Sequence, residues 1–139
     1  MSAYVVDASV AVKWFVPEVH SETASKLLDE AHDLHAPDLL LPEFGNTLWK
    51  KFRRDELNKA DVKSVIQALS VVPLAVHPSL VLLDAAVAIA LQTSRTVYDS
   101  FYLALAVLLK CPLMTADDRL FNALRVSPFS DDVRHVKEL

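Results

Sequence analysis

Short apolar runs, several closing on or near an acidic residue, alternate along this chain with longer stretches whose apolar residues recur at helical spacing. A run of four residues that is apolar at nearly every position is too short for a helix and suits a strand buried on both faces. Strands of that kind joined by helices dictate crossover connections, and therefore a mostly parallel sheet with helices packed on it. The expected fold class is an α/β, three-layer sandwich with a mostly parallel central sheet and helices on both faces.

The spacing predicts the elements in turn. Ala3 to Val6 is a strand ending at Asp7, and Ala8 to Phe15 a short helix stopped by Pro17. Ser21 caps a helix that carries Ala24, Leu27, Leu28 and Ala31 on one face. The run HAPDLLLP places a second strand near Leu39 to Leu41, followed by a helix from Glu43 with Phe44, Leu48 and Phe52 on one side. Val62, Val65, Ile66 and Leu69 mark a helix from Lys59 to Ser70, and Leu74 to His77 a third strand. Ser79 then caps a helix carrying Leu80, Leu83, Val87, Ala90 and Leu91. Thr96 to Tyr98 leads into the helical SFYLALAVLLK. PLMT is a buried strand ending at Asp117, before a short helix through Leu120, Phe121 and Leu124. VRHV supplies an edge strand.

The 139 residues suit one domain, residues 1–139, with no internal repeat. A single glycine, Gly45, and seven dispersed prolines argue against long flexible linkers. Cys111 is the only cysteine, which excludes an internal disulfide framework and suits a reducing compartment. Asp7 interrupts the apolar start, so no secretory signal is expected. Leu80 to Leu91 and Phe101 to Leu109 fall short of the ~20 residues of a membrane span. The expectation is a soluble, cytoplasmic protein, in which the 53% of hydrophobic residues leaves apolar surface for a partner.

Four acids adjoin apolar segments: Asp7 after YVV, Glu43 after LLLP, Asp99 before SFYLALAVLL, and Asp117 after LMTA. Each by itself is accounted for as a helix cap, because a carboxylate at a helix start satisfies free N–H groups and the positive end of the dipole. Together they are harder to place without a cation. A parallel sheet gathers the ends of its strands at one edge, where several carboxylates repel one another. An oxygen-only set with no cysteine or clustered histidine favours Mg²⁺ or Mn²⁺ over zinc. The net charge of −4 opposes non-specific nucleic-acid binding, an objection that a bound cation removes.

Read as whole segments, YVVDASVAVKWF, PEFGNTLWK, TVYDSFYLALA and LMTADDRLFNAL, in this order and spacing, resemble a PIN domain, specifically the VapC-type toxins of prokaryotic toxin–antitoxin pairs. The resemblance covers nearly the whole chain. It implies a metal-dependent endoribonuclease in which Asp7, Glu43, Asp99 and Asp117 hold Mg²⁺ or Mn²⁺, with Ser9, Thr115 and Asn46 in support. Ordinary capping or core hydrogen bonding explains those three supporting residues equally well. Asp117 is preferred to Asp118 because it directly follows Thr115 and Ala116. Cleavage leaving a 5′-phosphate and a 3′-hydroxyl, a cognate VapB-type antitoxin and a homodimer are implied in the same way.

Other features carry less. KKFRR, with Lys50, Lys51, Arg53 and Arg54, is the densest basic cluster and is either an RNA guide or a solvated helix face. Trp14, Trp49, Tyr98 and Tyr102 at helical spacing read as core rather than as base-stacking residues. Of His20, His32, His35, His77 and His135, only His32 and His35 are spaced as helical neighbours, so all five read as surface or packing residues rather than an acid–base pair. A phospho-receiver needs an acidic pair near the first strand and a late Lys-Pro, both missing. A phosphatase needs Asp-x-Asp, where this chain has Asp7-Ala8-Ser9. A catalytically inert PIN module that only binds RNA or a partner is disfavoured by the complete acidic set.

Overall fold

The computed structural model describes residues 2–29 and 32–139. Five strands, β1 (Ala3–Val6), β2 (Asp33–Pro37), β3 (Leu74–His77), β4 (Leu113–Thr115) and β5 (Val133–His135), form one sheet in the order β3-β2-β1-β4-β5. All four pairings are parallel. Seven α-helices connect them: α1 (Ala8–Lys13), α2 (Ser21–Asp29), α3 (Leu40–Arg53), α4 (Lys59–Ser70), α5 (Ser79–Thr93), α6 (Val97–Leu109) and α7 (Asp118–Leu124). The consecutive residues Tyr4, Val5 and Val6 of β1 are all buried, so both faces of the sheet are covered at its centre, as the expected sandwich requires. α6 packs against β1 and β2 and has seven consecutive buried residues, Ser100 to Ala106.

The strand order sets the location of chemistry. The chain winds outward from β1 through β2 to β3, then returns to place β4 on the other side of β1. Helices that follow β1 and β4 thus leave the sheet on either side of a crevice at the strands' C-terminal ends, the usual ligand position in open parallel sheets. Asp7 and Asp117 occupy these two strand-to-helix junctions.

The second strand falls earlier than the apolar run suggested. β2 is Asp33–Pro37, and Leu39 to Leu41 instead open α3. A run of three leucines carries no period, and here Asp38 turns the chain: its N–H bonds the His77 carbonyl while its own carbonyl accepts from Leu41 N. Pro42 fits this first turn because its missing N–H is not needed there. The strand signal of DLHAP was masked because Asp33 and His35 lie on its less buried face. His32 and His35 are consequently not helical neighbours. His35 instead hydrogen-bonds His77 of β3 (2.9 Å) and Asp33 (2.9 Å).

Smaller differences concern caps. Ser21 is the first residue of α2, and its hydroxyl ties Glu18 N and Val16 O of the preceding turn. Ser79 likewise opens α5 while its hydroxyl donates to Asp38, with Pro78 in the cap position. Ala31, expected on the buried face of α2, lies outside the described residues. Among the described residues no single helix is long and apolar enough to cross a membrane.

Leu105 in the middle of α6 is fully buried, whereas Leu91 near the end of α5 is 83% exposed. Leu105→Ala should therefore cost about 2–5 kcal/mol of unfolding free energy and Leu91→Ala no more than about 0.5, measured by urea denaturation. Equal losses would place the core elsewhere.

Candidate active site

Asp7 leaves β1 in extended conformation and caps α1, accepting from Val10 N (3.2 Å). Its two oxygens are separately held: Ser9 Oγ donates to Oδ1 (2.5 Å) and Thr115 Oγ1, from the end of β4, donates to Oδ2 (2.5 Å). Ser9 Oγ in turn accepts from Ala116 N (3.0 Å), and Thr115 Oγ1 from Asp117 N (3.0 Å). Two hydroxyls therefore lock the junction after β1 to the junction after β4. Burial nonetheless dominates, and it pushes the Asp7 carboxyl up from 3.8 to about 6 against the lowering effect of these donors, with the Asp117 charge adding to the rise.

Glu43 in the first turn of α3 accepts from the phenol of Tyr102 on α6 (2.5 Å). Burial, and then the nearby charge of Asp99, raise its pKa. Asp99 sits in the first turn of α6, where Thr96 caps the helix, and pairs with Arg95 (3.2 Å). Asp7, Ser9, Glu43, Asn46, Asp99 and Tyr102 line one cleft of about 210 Å³, together with Ala8, Thr47, Lys50 and Leu120.

Asp117 does not line this cleft. It caps α7 through Oδ1, which accepts from Arg119 N and Leu120 N, and its charge reaches Asp7. Asp118 points the other way, bonded to the buried His135 of β5 (2.8 Å). Of these two neighbours, Asp117 is the one whose charge acts on Asp7, and Asp118 is the one paired with His135.

Several neighbours escaped the sequence reading. Tyr102 lies one turn beyond Asp99 on the same helix, a spacing that was open to inspection; burial, then Glu43, raise its pKa far above the ordinary 10.0, so it serves as a permanent donor. Arg95 precedes Asp99 by four residues and gives it a cation, but its own Nε is buried without a hydrogen-bond partner. The basic cluster disperses: Lys50 lines the acidic cleft, Lys51 is buried against Glu18 (2.5 Å) and Glu56 (3.7 Å), and Arg53 stacks over Trp49 (5.3 Å). Lys51 is therefore not part of an exposed guide, because burial forces it to keep its carboxylate partners. The fold does join two histidines, His35 and His77, but neither lines the cleft.

The donor set suits a hard divalent cation, being all carboxylate oxygen in a cleft where burial and neighbouring carboxylates push Asp7 and Glu43 toward protonation. Asp7 feels the charge of Asp117, and Glu43 that of Asp99. Among the described residues no three acidic, histidine or cysteine side chains are spaced to share one ion as they stand. An ion shared by three of them would require some of these side chains to rotate.

An all-parallel sheet with acids gathered at the carboxyl ends of its central strands defines an open-sheet α/β protein with a carboxylate-lined crevice. The chain belongs to the PIN-domain family, whose model matches residues 4–126. It is 38% identical over 118 residues to ribonuclease VapC3 of Pyrobaculum aerophilum, covering 84% of this chain and 90% of that protein. Ribonuclease VapC9 of Mycobacterium tuberculosis is 33% identical over 116 residues, covering 84% and 87%. In structure, the chain resembles one chain of a toxin–antitoxin complex from Klebsiella pneumoniae with a TM-score of 0.69, at 16% identity over 96% of this chain and 97% of that one, and PAE2754 from Pyrobaculum aerophilum with a TM-score of 0.66, at 22% identity over 99% and 91%.

The raised pKa of Asp7 has a sign that can be tested. A carboxyl held near 6 when folded and near 3.8 when unfolded gives stability that is complete below about pH 4 and lost as pH rises through about 6. At neutral pH the loss amounts to at most about 3 kcal/mol. Without divalent cations, Asp7→Asn should be more stable than wild type by about 1–3 kcal/mol at neutral pH, converging with it near pH 4. Urea unfolding at both pH values checks this, and a wild type that is the more stable at neutral pH would contradict the burial argument.

Proposed function

We propose that this chain is a divalent-cation-dependent endoribonuclease, acting as the toxin of a type II toxin–antitoxin pair. The observation that carries the reading is the convergence of Asp7, Glu43 and Asp99 on one cleft, with Asp117 beside it, in a PIN-domain chain related to VapC ribonucleases. In this reading Asp7, Glu43, Asp99 and Asp117 hold Mg²⁺ or Mn²⁺, and the whole chain acts as one PIN domain. The bound cation supplies Lewis acidity toward water and toward the phosphate oxygens.

The chain's own groups prepare the site for that cation. Ser9 and Thr115 fix both oxygens of Asp7, so its position is set before any ligand arrives. Tyr102 orients Glu43 in the same way. Asn46 and Lys50, one and two turns along α3 from Glu43, line the cleft and are placed to touch a phosphodiester. No side chain is needed as a nucleophile; water is the attacking group, and the products are a 5′-phosphate and a 3′-hydroxyl. A VapB-type antitoxin is supported by the related VapC proteins and the toxin–antitoxin neighbour; a homodimer and a cytoplasmic location complete the reading.

The test is cleavage of a mixed RNA pool by wild type and Asp99→Asn with Mg²⁺, with Mn²⁺ and with EDTA. Wild type should cleave with either cation and stop in EDTA, while Asp99→Asn should lose on the order of a hundredfold or more in rate. Equal rates for the two proteins, or a 2′,3′-cyclic phosphate product, would refute this mechanism.

A further inference from the structure

Beside the acidic cleft lies a second one, of about 290 Å³, whose charge is opposite. Lys13, Lys50, Lys51 and Arg54 line it, with Glu18 as its one acid. Glu18 binds both Lys13 (3.3 Å) and Lys51 (2.5 Å), whose side chains are only 12% and 11% exposed. Burial alone would raise the Glu18 pKa, but the hydrogen bond from Lys51 and the charge of Lys13 outweigh it, and the group is held as a carboxylate. The two ammonium groups are thereby fixed at the wall of the cleft. Lys50 and Arg54 form no ion pair among the described residues. Four cations against one anion leave an excess of positive charge in a chain whose net charge is −4.

The two clefts are continuous, because Ser9, Thr47 and Lys50 line both. The connection runs along α3, where Glu43, Thr47, Lys50 and Arg54 follow at intervals of four, three and four residues and so share one face. At 1.5 Å per residue, Lys50 lies about 10 Å and Arg54 about 16 Å from Glu43 along the axis, farther than the groups of a single phosphate extend.

We propose that the basic cleft is a phosphate subsite for the RNA strand flanking the scissile bond, with Lys13, Lys50 and Arg54 as its contacts and Glu18 holding Lys13 in place. This rests on the ribonuclease reading of the adjoining cleft and adds to it a direction for the substrate. The strand enters from the acidic cleft, where a cation offsets its charge, and continues past Ser9 and Thr47 to Arg54. An acidic polypeptide fits less well, since its path would take it past three carboxylates with no phosphate to share the cation.

The test measures binding of a fluorescein-labelled, mixed-sequence, single-stranded RNA of a dozen nucleotides by anisotropy in EDTA, over a series of KCl concentrations. The proteins are wild type, Lys13→Gln/Arg54→Gln, the charge-conserving Lys13→Arg/Arg54→Lys, and Lys63→Gln on exposed α4 as control, each checked for an unchanged unfolding transition. Loss of two phosphate contacts should lower the slope of log K against log salt by about 1.4, at about 0.7 per contact for a single strand. The charge-conserving variant and the control should keep the wild-type slope. Absence of binding by wild type, or binding by the glutamine variant with an unchanged slope, overturns the subsite; if wild type still cleaves RNA with Mg²⁺ or Mn²⁺, the ribonuclease reading stands without it. Polyglutamate binding tighter than RNA, and lost in the glutamine variant, would overturn it in favour of an acidic protein partner.

Discussion

The rest of the site depends on the grip of two hydroxyls on one buried carboxylate. Thr115 reaches Asp7 across 108 positions of sequence only because β4 pairs with β1 in parallel, Val5 opposite Leu113 and Val6 opposite Met114. That register brings both strands to their C-terminal ends together, so the caps of α1 and α7 become neighbours. A shift of one residue would turn Thr115 to the opposite face of the sheet and leave Asp7 without one of its donors. The carboxylate is therefore both a product of the sheet's register and a check on it.

Placing charge in the interior in this way works against stability, as the position of Asp7 shows. The chain offsets the other acids with groups of its own: Tyr102 for Glu43, Arg95 for Asp99, helix amides for Asp117, and His135 for Asp118. Each partner is a hydrogen-bond donor, placed by a helix, an edge strand or, for Arg95, the connection between α5 and α6, and only Arg95 among the first three brings a full positive charge. Asp7 and Glu43 are thus held in place by hydroxyl donors while the charge of the cleft is incompletely neutralised, which favours a cation there.

Much of this was legible in the sequence. Apolar runs gave away β1, β3 and β4, the VRHV segment gave away the edge strand β5, and the acids after β1 and β4, Asp7 and Asp117, pointed to the crevice. β2 was hidden because its outward residues, Asp33 and His35, broke the apolar run, while three leucines beside it imitated a strand and proved to be a helix start. What one-dimensional spacing does not carry is the choice of partner across the fold. Tyr102 looked like core because it is core, and its hydroxyl has a role only through contact with a residue 59 positions away. Lys51 looked like part of a basic surface until the loop after α1 brought Glu18 to it. Lys13 stood alone in α1 with nothing in its surroundings to mark it.

The order of the strands also governs when the cleft can come into being. Its first acid is made within the opening seven residues, but the hydroxyl that holds that acid and the cap beside it belong to Thr115 and Asp117. β1 lies between β2 and β4, and until β4 has been synthesised and docked it has a partner on one side only. The cleft therefore cannot be complete until residues 113–117 have been made and docked, and shorter nascent chains are without it.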